Sequence, residues 1–366
     1  MRVALIGLGD AGLAIHLPAL VRIRSAQVVA GSDPDAARRA QAATAFGIDV
    51  YDDTDRMLQK AQPEVVVVGT PPETHAALCL RALAAGCHVI CEKPFASSVA
   101  EADRVLAAAV HARRRVAANH EFREMPIFRA VRAYAPPQEV VAAQVWQLMD
   151  LPPGSEAGWR GRLRERTLFE AGAHLIDFLV ALFGELPVAV QAATSNGGIE
   201  GSVGDAVASM TLEFSRGRLA HVIQNRLCKG EAHYFDVRVD TPHVSVRASY
   251  GGRFRLSAGL LRRSTPHVRL ERGRSGLAWI EHGGARRTIA RNPARPIVEA
   301  TRRLFAAALD AFARDDEPPV SGRTGRDVLA VIAAAYGSAA SGCRLALSDL
   351  DPQLVSFRMG VSPAGG

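Results

Sequence analysis

The chain has 366 residues, 48% of them hydrophobic, and a formal net charge of +7. That length is enough for two domains with a sizeable core, and the absence of any run of about eighteen apolar residues argues against a membrane span. The basic residues are scattered among acids without interleaved aromatics, so we expect neither a nucleic-acid partner nor a membrane partner. Five irregularly spaced cysteines, and a strand at residue 2 that leaves no room for a signal peptide, predict a cytoplasmic protein with reduced thiols.

The first third of the chain alternates short apolar runs with segments of helical length. The apolar runs predict buried parallel strands at 2–6, 27–31, 49–51, 64–69, 88–91 and 115–118. The intervening segments predict helices at 11–24, 34–46, 54–61, 73–85 and 98–113. Pro34 is expected in the first turn of the second helix. This alternation predicts an α/β fold with a doubly wound parallel sheet.

After about residue 120 the pattern changes, which indicates a second domain. A strand is expected at 139–148 and a helix at 168–183, and helices return at 296–314 and 325–341. Between them apolar and polar residues alternate with a period of two. The apolar members share one face: Ala206, Ala208, Met210, Leu212, Phe214, Phe235, Val237 and Val239. Such alternation predicts a mostly antiparallel sheet that is covered on one side.

The strand at 2–6 leads into a G-x-G-x-x-G loop. Gly7 permits a tight turn, Gly9 lets the backbone approach a pyrophosphate, and Gly12 lets the following helix pack closely. Asp33 follows the next strand, where a carboxylate accepts hydrogen bonds from a ribose diol. The strand–loop–helix–strand–acid context favours a dinucleotide site over a plain glycine turn. We expect cofactor contacts from Gly7, Gly9, Asp10, Ala11, Gly12 and Asp33.

Lys93 directly follows a predicted strand, on the edge of the sheet where ligands bind in doubly wound folds. An ammonium fixed there stabilises negative charge on a substrate oxygen as hydride leaves. The alternative is a solvated lysine in a proline turn. The nearby Cys87-His88-x-x-Cys91 does not have zinc-ligand spacing, so we expect no metal site.

Glu170, His174 and Asp177 have the spacing of one helix face, among apolar neighbours. An imidazole between two carboxylates is suited to accept a proton near neutral pH. An exposed ion pair on a surface helix is the alternative, and helix spacing alone does not decide between them.

Together these motifs resemble the glucose–fructose oxidoreductase, inositol dehydrogenase and rhizopine-catabolism family (Gfo/Idh/MocA). The stretches that carry the resemblance are 7–20, 66–75, 84–94, 172–177 and 319–322. The resemblance implies an NAD(P)-binding Rossmann domain at 1–120 and a substrate-binding and oligomerisation α/β domain with an open, mostly antiparallel sheet at 121–350. The helix at 325–341 is expected to pack back on the first domain, and 351–366 is expected to be a tail.

The resemblance also implies roles for individual residues. Lys93 contacts the reacting hydroxyl, and His174 is the general acid/base, oriented by Glu170 where the family usually has Asp. The cofactor is lined by Thr70, Pro71, His75, Glu92, Lys93, Asn119, Trp159 and Arg160. The substrate is bound by Lys93, Arg123, His174 and Asp177.

The implied activity is NAD(P)-dependent oxidation of a hydroxyl on a sugar, aminosugar or cyclitol by a homodimer or homotetramer. NAD is expected over NADP because the Asp33 carboxylate repels a 2′-phosphate, although Arg38 or Arg39 can reach one. Two alternatives remain open: a non-catalytic dinucleotide-binding regulator, and a glycosidase that recycles its NAD. Lys93 and His174 together favour the dehydrogenase, since a regulator needs neither.

Overall fold

The structure is a computed structural model that describes residues 1–150, 160–199, 203–230, 233–251, 255–259, 267–271 and 276–350. Trp159 and the predicted tail at 351–366 lie outside the described residues. The chain divides into two compact units. Of the described residues, the first unit contains 1–124 and 297–329, and the second contains 125–296 and 330–350. Within these residues, no helix has the length and apolar character needed to cross a membrane.

The first unit is built on a six-stranded parallel sheet. Its strands are β1 (Arg2–Ile6), β2 (Gln27–Ser32), β3 (Asp49–Tyr51), β4 (Val65–Val68), β5 (His88–Glu92) and β6 (Val116–Asn119). They lie in the order β3-β2-β1-β4-β5-β6, so the strand order reverses between β1 and β4. Ligands bind at such a switch point, outside the carboxyl ends of the strands.

Helices connect these strands. They are a π-helical turn (Gly12–His16), α1 (Leu17–Leu20), α2 (Ala36–Phe46), α3 (Thr54–Ala61), α4 (Pro72–Ala84) and α5 (Val99–Ala112). Two predicted boundaries of these helices differ from the structure by two residues or more. The first helix ends at Leu20 because the N–H groups of Arg22 and Ile23 bond three residues back and close its last turn. The second begins at Ala36 because the side chain of Asp35 caps it, which leaves Pro34 outside the helix.

The second unit is built on a sheet of nine described strands. They are β7 (Ala142–Leu148), β8 (Ala189–Ser195), β9 (Val207–Glu213), β10 (Leu219–Asn225), β11 (His233–Asp240), β12 (Ser245–Gly251), β15 (Leu277–His282), β16 (Ala285–Arg291) and β17 (Leu345–Ala346). A separate hairpin joins β13 (Arg255–Gly259) to β14 (His267–Glu271). All pairs in the nine-stranded sheet are antiparallel except β7 with β10. The predicted fold class, a parallel sheet plus a mostly antiparallel one, is confirmed.

Helices cover the apolar face of the second sheet. The predicted apolar residues from Ala206 to Phe214 are buried, as are Phe235, Val237 and Val239. Phe235 packs against Phe128 of α6 (Pro126–Tyr134) and Phe178 of α7 (Ala173–Phe183), with ring centroids 4.4 and 5.6 Å away. These aromatic contacts fix both helices on the sheet.

The long C-terminal helices belong to both units. Helix α8 (Pro296–Ala313) lies in the first unit apart from its first residue, and α9 (Gly322–Ser341) begins there and ends in the second unit. At the start of α9, Gly322 and Gly325 allow close packing. A Cβ at Gly325 would lie 2.9 Å from the Cβ atoms of Ala118 and Phe95. The start of α9 therefore packs on the β6 side of the parallel sheet.

Candidate active site

The glycine loop follows β1 at the centre of the parallel sheet. Gly7 has a φ of +95°, and a Cβ on it would lie 2.7 Å from the carbonyl oxygen of Gly69. A Cβ on Gly12 would lie 2.4 Å from the carbonyl oxygen of Gly7. Only glycine fits either position without a shift of backbone. Asp10 and Ala11 lie in the first helical turn after the loop, where the N-terminus of a helix favours a phosphate.

Asp33 lies at the end of β2 and holds this loop. Its Oδ2 accepts the N–H of Leu8 at 2.8 Å, and its Oδ1 accepts the N–H of Asp35 at 2.9 Å. Arg39 donates to the carbonyl oxygens of Asp33 and Pro34. Among the described contacts, Arg39 is thus engaged with backbone.

Arg38 is the more accessible of the two arginines near Asp33. Its side chain is 50% exposed, with Nη1 3.9 Å from Asp33 Oδ2. The same nitrogen lies 3.7 Å from the position a Cβ on Gly9 would take, so the Arg38 guanidinium lies beside the glycine loop. The Asp33 carboxylate disfavours a 2′-phosphate, whereas the Arg38 guanidinium favours one, and the preference for NAD over NADP stays a prediction.

His75 links two loops at the carboxyl ends of the strands. Its ring is fully buried in α4, with Nδ1 2.8 Å from the carbonyl oxygen of Pro94 and Nε2 2.8 Å from that of Thr70. Burial lowers the pKa of His75, and the hydrogen bonds to the carbonyl oxygens of Thr70 and Pro94 oppose that shift. Pro71 is exposed and Thr70 half-buried. His75 therefore positions these loops from behind, while Thr70 and Pro71 face outward.

Glu92 organises the ends of β5 and β6. Its Oε1 accepts the Nε2–H of His16 at 2.7 Å and the Nδ2–H of Asn119 at 2.6 Å, and its Oε2 accepts the backbone N–H of Lys93 at 2.9 Å. Burial raises the pKa of Glu92, but the hydrogen bond and charge of His16, the charge of Lys93 and the Asn119 bond outweigh it. The pKa is lowered to about 2. An ionised carboxylate thus holds the backbone from which the half-buried Lys93 projects.

The helix with the predicted acid/base lies in the second unit. It begins as a π-helical segment (Thr167–Gly172) and continues as α7, in which His174 and Asp177 are buried. Asp205 caps its start, accepting the N–H of Arg166 at 2.6 Å and that of Thr167 at 3.2 Å. The structure therefore places His174 and Asp177 on a buried helix, not on an exposed surface helix.

Glu170 bonds to two arginines. Its Oε2 accepts from Arg226 Nη1 at 3.0 Å, and its Oε1 accepts from Arg160 Nε. Arg226 directly follows β10 and only 5% of its side chain is exposed, whereas 47% of the Arg160 side chain is exposed. Arg123 lies in a 3₁₀ turn (Glu121–Glu124) of the first unit and is buried. The role of Glu170 in orienting His174 stays a prediction.

The order of the parallel strands, the glycine loop and the acid after β2 define a dinucleotide-binding α/β protein. Residues 1–120 match a family model described as an oxidoreductase family with an NAD-binding Rossmann fold, and residues 139–249 match the GFO/IDH/MocA C-terminal domain. Together the two matches span more than half of the chain. The chain belongs to the GFO/IDH/MocA oxidoreductase family, so the predicted family, enzyme class and NAD-binding domain are confirmed.

Individual relatives and structures agree with this family. D-apiose dehydrogenase from Paraburkholderia graminis is 28% identical over 346 residues, which cover 92% of this chain and 88% of the relative. Inositol 2-dehydrogenase from Leifsonia xyli is 42% identical over 107 residues, 29% of this chain and 31% of the relative. An Agrobacterium radiobacter oxidoreductase in complex with NAD⁺, L-tartaric acid and magnesium has the same fold. Its TM-score is 0.80 at 20% identity, with 95% of this chain and 98% of that one covered.

Three residues with these contacts carry no role in the sequence interpretation: His16 in the first unit, and Asp205 and Arg226 in the second. Each acts on a partner that is distant in sequence, as His16 does on Glu92, 76 residues away. The signal for His16 was a histidine within the apolar segment after the glycine loop. Asp205 and Arg226 lie beside strands without a motif, so their spacing gave no indication.

Proposed function

We propose that this protein is an NAD-dependent dehydrogenase or reductase acting on a hydroxyl or carbonyl carbon of a sugar, aminosugar or cyclitol-like substrate. The observation that carries the proposal is the placement of Lys93. It lies at the carboxyl end of β5, on the ligand-binding edge of the sheet, and its backbone is held by an ionised carboxylate. The relatives named as dehydrogenases of D-apiose and of inositol support this substrate class.

The proposed chemistry divides between two side chains. Bound NAD supplies the hydride acceptor. The Lys93 ammonium donates a hydrogen bond to the reacting hydroxyl and stabilises the negative charge that develops on its oxygen. The His174 imidazole takes the hydroxyl proton, and Asp177 and Arg123 bind the rest of the substrate. Glu170, one turn before His174, orients the imidazole.

The glycine loop and Asp33 are proposed to hold the pyrophosphate and a ribose of NAD. The positive φ of Gly7 and the tight space at Gly12 support this assignment. We propose that further cofactor contacts come from Thr70, Pro71, Glu92, Asn119, Trp159 and Arg160. His75 supports Thr70 from behind, so we assign it a positioning role.

We also propose a homodimer or homotetramer that associates through the second sheet. Helices cover one face of that sheet, and apolar side chains lie on the other. Leu219 and Ile223 of β10 are 38% and 51% exposed, and they alternate with the buried Ala220 and Val222. Exposed apolar side chains on a sheet face are suited to cover by a second copy.

A panel of sugars, aminosugars and cyclitols tests the proposed function. Turnover is followed at the absorbance of reduced nicotinamide, with NAD in excess. We expect reduction of NAD that depends on one substrate and is abolished in Lys93→Ala. The exposed Lys60→Ala should keep the parent rate. A protein that binds NAD but reduces none across the panel would favour a regulator.

A further inference from the structure

A buried histidine lies behind the Lys93 turn. His16 ends the π-helical turn after the glycine loop and has no exposed surface, and its Nε2 lies 2.7 Å from Glu92 Oε1. A Cβ on Gly69 would lie 2.9 Å from the His16 ring, so the bare Gly69 backbone makes room for the imidazole. Glycine at this position thus allows His16 to reach the end of β5.

Packing alone does not explain a histidine at this position. Its Nδ1 is buried and has no hydrogen-bond partner among the residues that the structure describes. A buried polar atom without a partner costs free energy, and an apolar side chain of similar volume would avoid that cost. The Nε2–H bond to Glu92 is the contact that an apolar residue cannot replace.

The contact matters because of what Glu92 does with its other oxygen. Glu92 Oε2 accepts the backbone N–H of Lys93, while Oε1 is held by His16 and Asn119. In the parallel register Glu92 pairs directly with Asn119, so the carboxylate is held from two sides. Three N–H donors fix one carboxylate, and the carboxylate fixes the chain at Lys93.

We infer that His16 is a positioning residue for the reaction: through Glu92 it fixes the backbone from which Lys93 reaches the substrate. The inference rests on the proposed function, in which Lys93 polarises the reacting hydroxyl. Loss of the His16 donor leaves Glu92 and the Lys93 turn free to shift. A displacement of about 1 Å at a reacting group lowers turnover on the order of a hundredfold.

Two substitutions separate the hydrogen bond from the packing. His16→Leu removes the donor at similar volume, whereas His16→Gln keeps an N–H that can reach Glu92. We expect turnover to fall ten- to a hundredfold in His16→Leu, on the order of a small misplacement, and to be largely restored in His16→Gln. Leu20→Ala, a cavity variant of the same helical segment, controls for loosening and should keep the parent turnover. His16→Met is the apolar replacement if His16→Leu does not fold.

A pH titration gives a readout that a packing role would not move. The folded pKa of Glu92, about 2, lies below its ordinary value of 4.5, so its ionised form persists as the pH falls towards 2. Removal of the His16 donor raises this pKa. The pH at which Glu92 loses its charge should therefore be higher in His16→Leu, and His16→Gln should reverse part of the change.

Carboxyl-carbon NMR of the substrate-free protein measures the same pKa without turnover, with Glu92→Gln to assign the signal. We expect the Glu92 midpoint to rise in His16→Leu and to stay at the parent value in Leu20→Ala. A parent-like Glu92 midpoint in His16→Leu, with Lys93→Ala inactive, overturns the inference and leaves the proposed function intact. Parent turnover in Lys93→Ala overturns the proposed role of Lys93 and this inference with it.

Discussion

Glu170→Gln tests the buried ion pair between Glu170 and Arg226, one helical turn before the predicted acid/base His174. Glu170 Oε2 lies 3.0 Å from Arg226 Nη1, and the two side chains are 14% and 5% exposed. Glu170 Oε1 pairs with Arg160, which is 47% exposed. The substitution keeps the shape of the side chain and removes its charge, so the Arg226 guanidinium loses a buried counter-ion.

The expected loss of stability follows from the environments of the two arginines that Glu170 contacts, one buried and one exposed. Removing one partner of a buried ion pair costs about 3–5 kcal/mol, whereas an exposed pair contributes about 1 kcal/mol at most. The amide oxygen of the introduced glutamine still accepts one hydrogen bond, which offsets part of the loss. We expect the free energy of unfolding to fall by about 3 kcal/mol, nearly all of it through Arg226.

Urea unfolding at neutral pH measures this loss, with Glu213→Gln as the matched control. Glu213 pairs with Arg344, whose side chain is 51% exposed, so the control should lie within about 0.5 kcal/mol of the parent. Replacing both partners, as Glu170→Gln with Arg226→Met, should recover much of the loss because the buried guanidinium is removed together with its counter-ion. A Glu170→Gln variant as stable as the control would refute this account of the pair.

Three further predictions concern the cofactor and assembly. Gly12→Ala should weaken NAD binding at least about tenfold, because the new methyl would lie 2.4 Å from a loop carbonyl oxygen. Gly47→Ala places its methyl in open space and should leave NAD binding unchanged. Calorimetric titration compares the NAD affinities of the two variants. Equal affinities would contradict the assignment of the glycine loop to NAD binding. NAD should bind more tightly than NADP at fixed ionic strength because of the Asp33 carboxylate, and equal or tighter NADP binding would make Arg38 decisive instead. Sedimentation at micromolar concentration should give a dimer or tetramer that Ile223→Arg weakens, and a monomeric parent would exclude the proposed association.

The sequence predicted the first sheet well because the elements that build it are recognisable from short stretches of sequence. Strand, glycine loop, helix and acid follow one another within 33 residues, and each has a chemical signature that does not depend on distant contacts. The errors were at helix ends. Pro34 is suited to the first turn of a helix, but the side chain of Asp35 caps α2, so the helix begins after Asp35. A cap of this kind shifts a boundary by one or two residues.

The environment of the candidate site was harder to predict because its contacts are long-range. Helical spacing placed Glu170 beside His174, but not beside Arg226, which is 56 residues away along the chain. The cap that Asp205 supplies to the same helix comes from 38 residues further on. Such partners depend on how the second sheet orders its strands, and alternation within each strand carries no information on that order.

Turnover of His174→Ala measured against the parent tests the central claim most directly. With substrate and NAD saturating, the rate of nicotinamide reduction should fall by about 10² to 10⁴, the usual contribution of a positioned acid/base. The affinity for NAD should stay unchanged, because the proposed pyrophosphate and ribose contacts come from the glycine loop and Asp33. His282→Ala, at an exposed histidine, should match the parent. A folded His174→Ala variant that binds NAD and turns over at the parent rate would contradict the account.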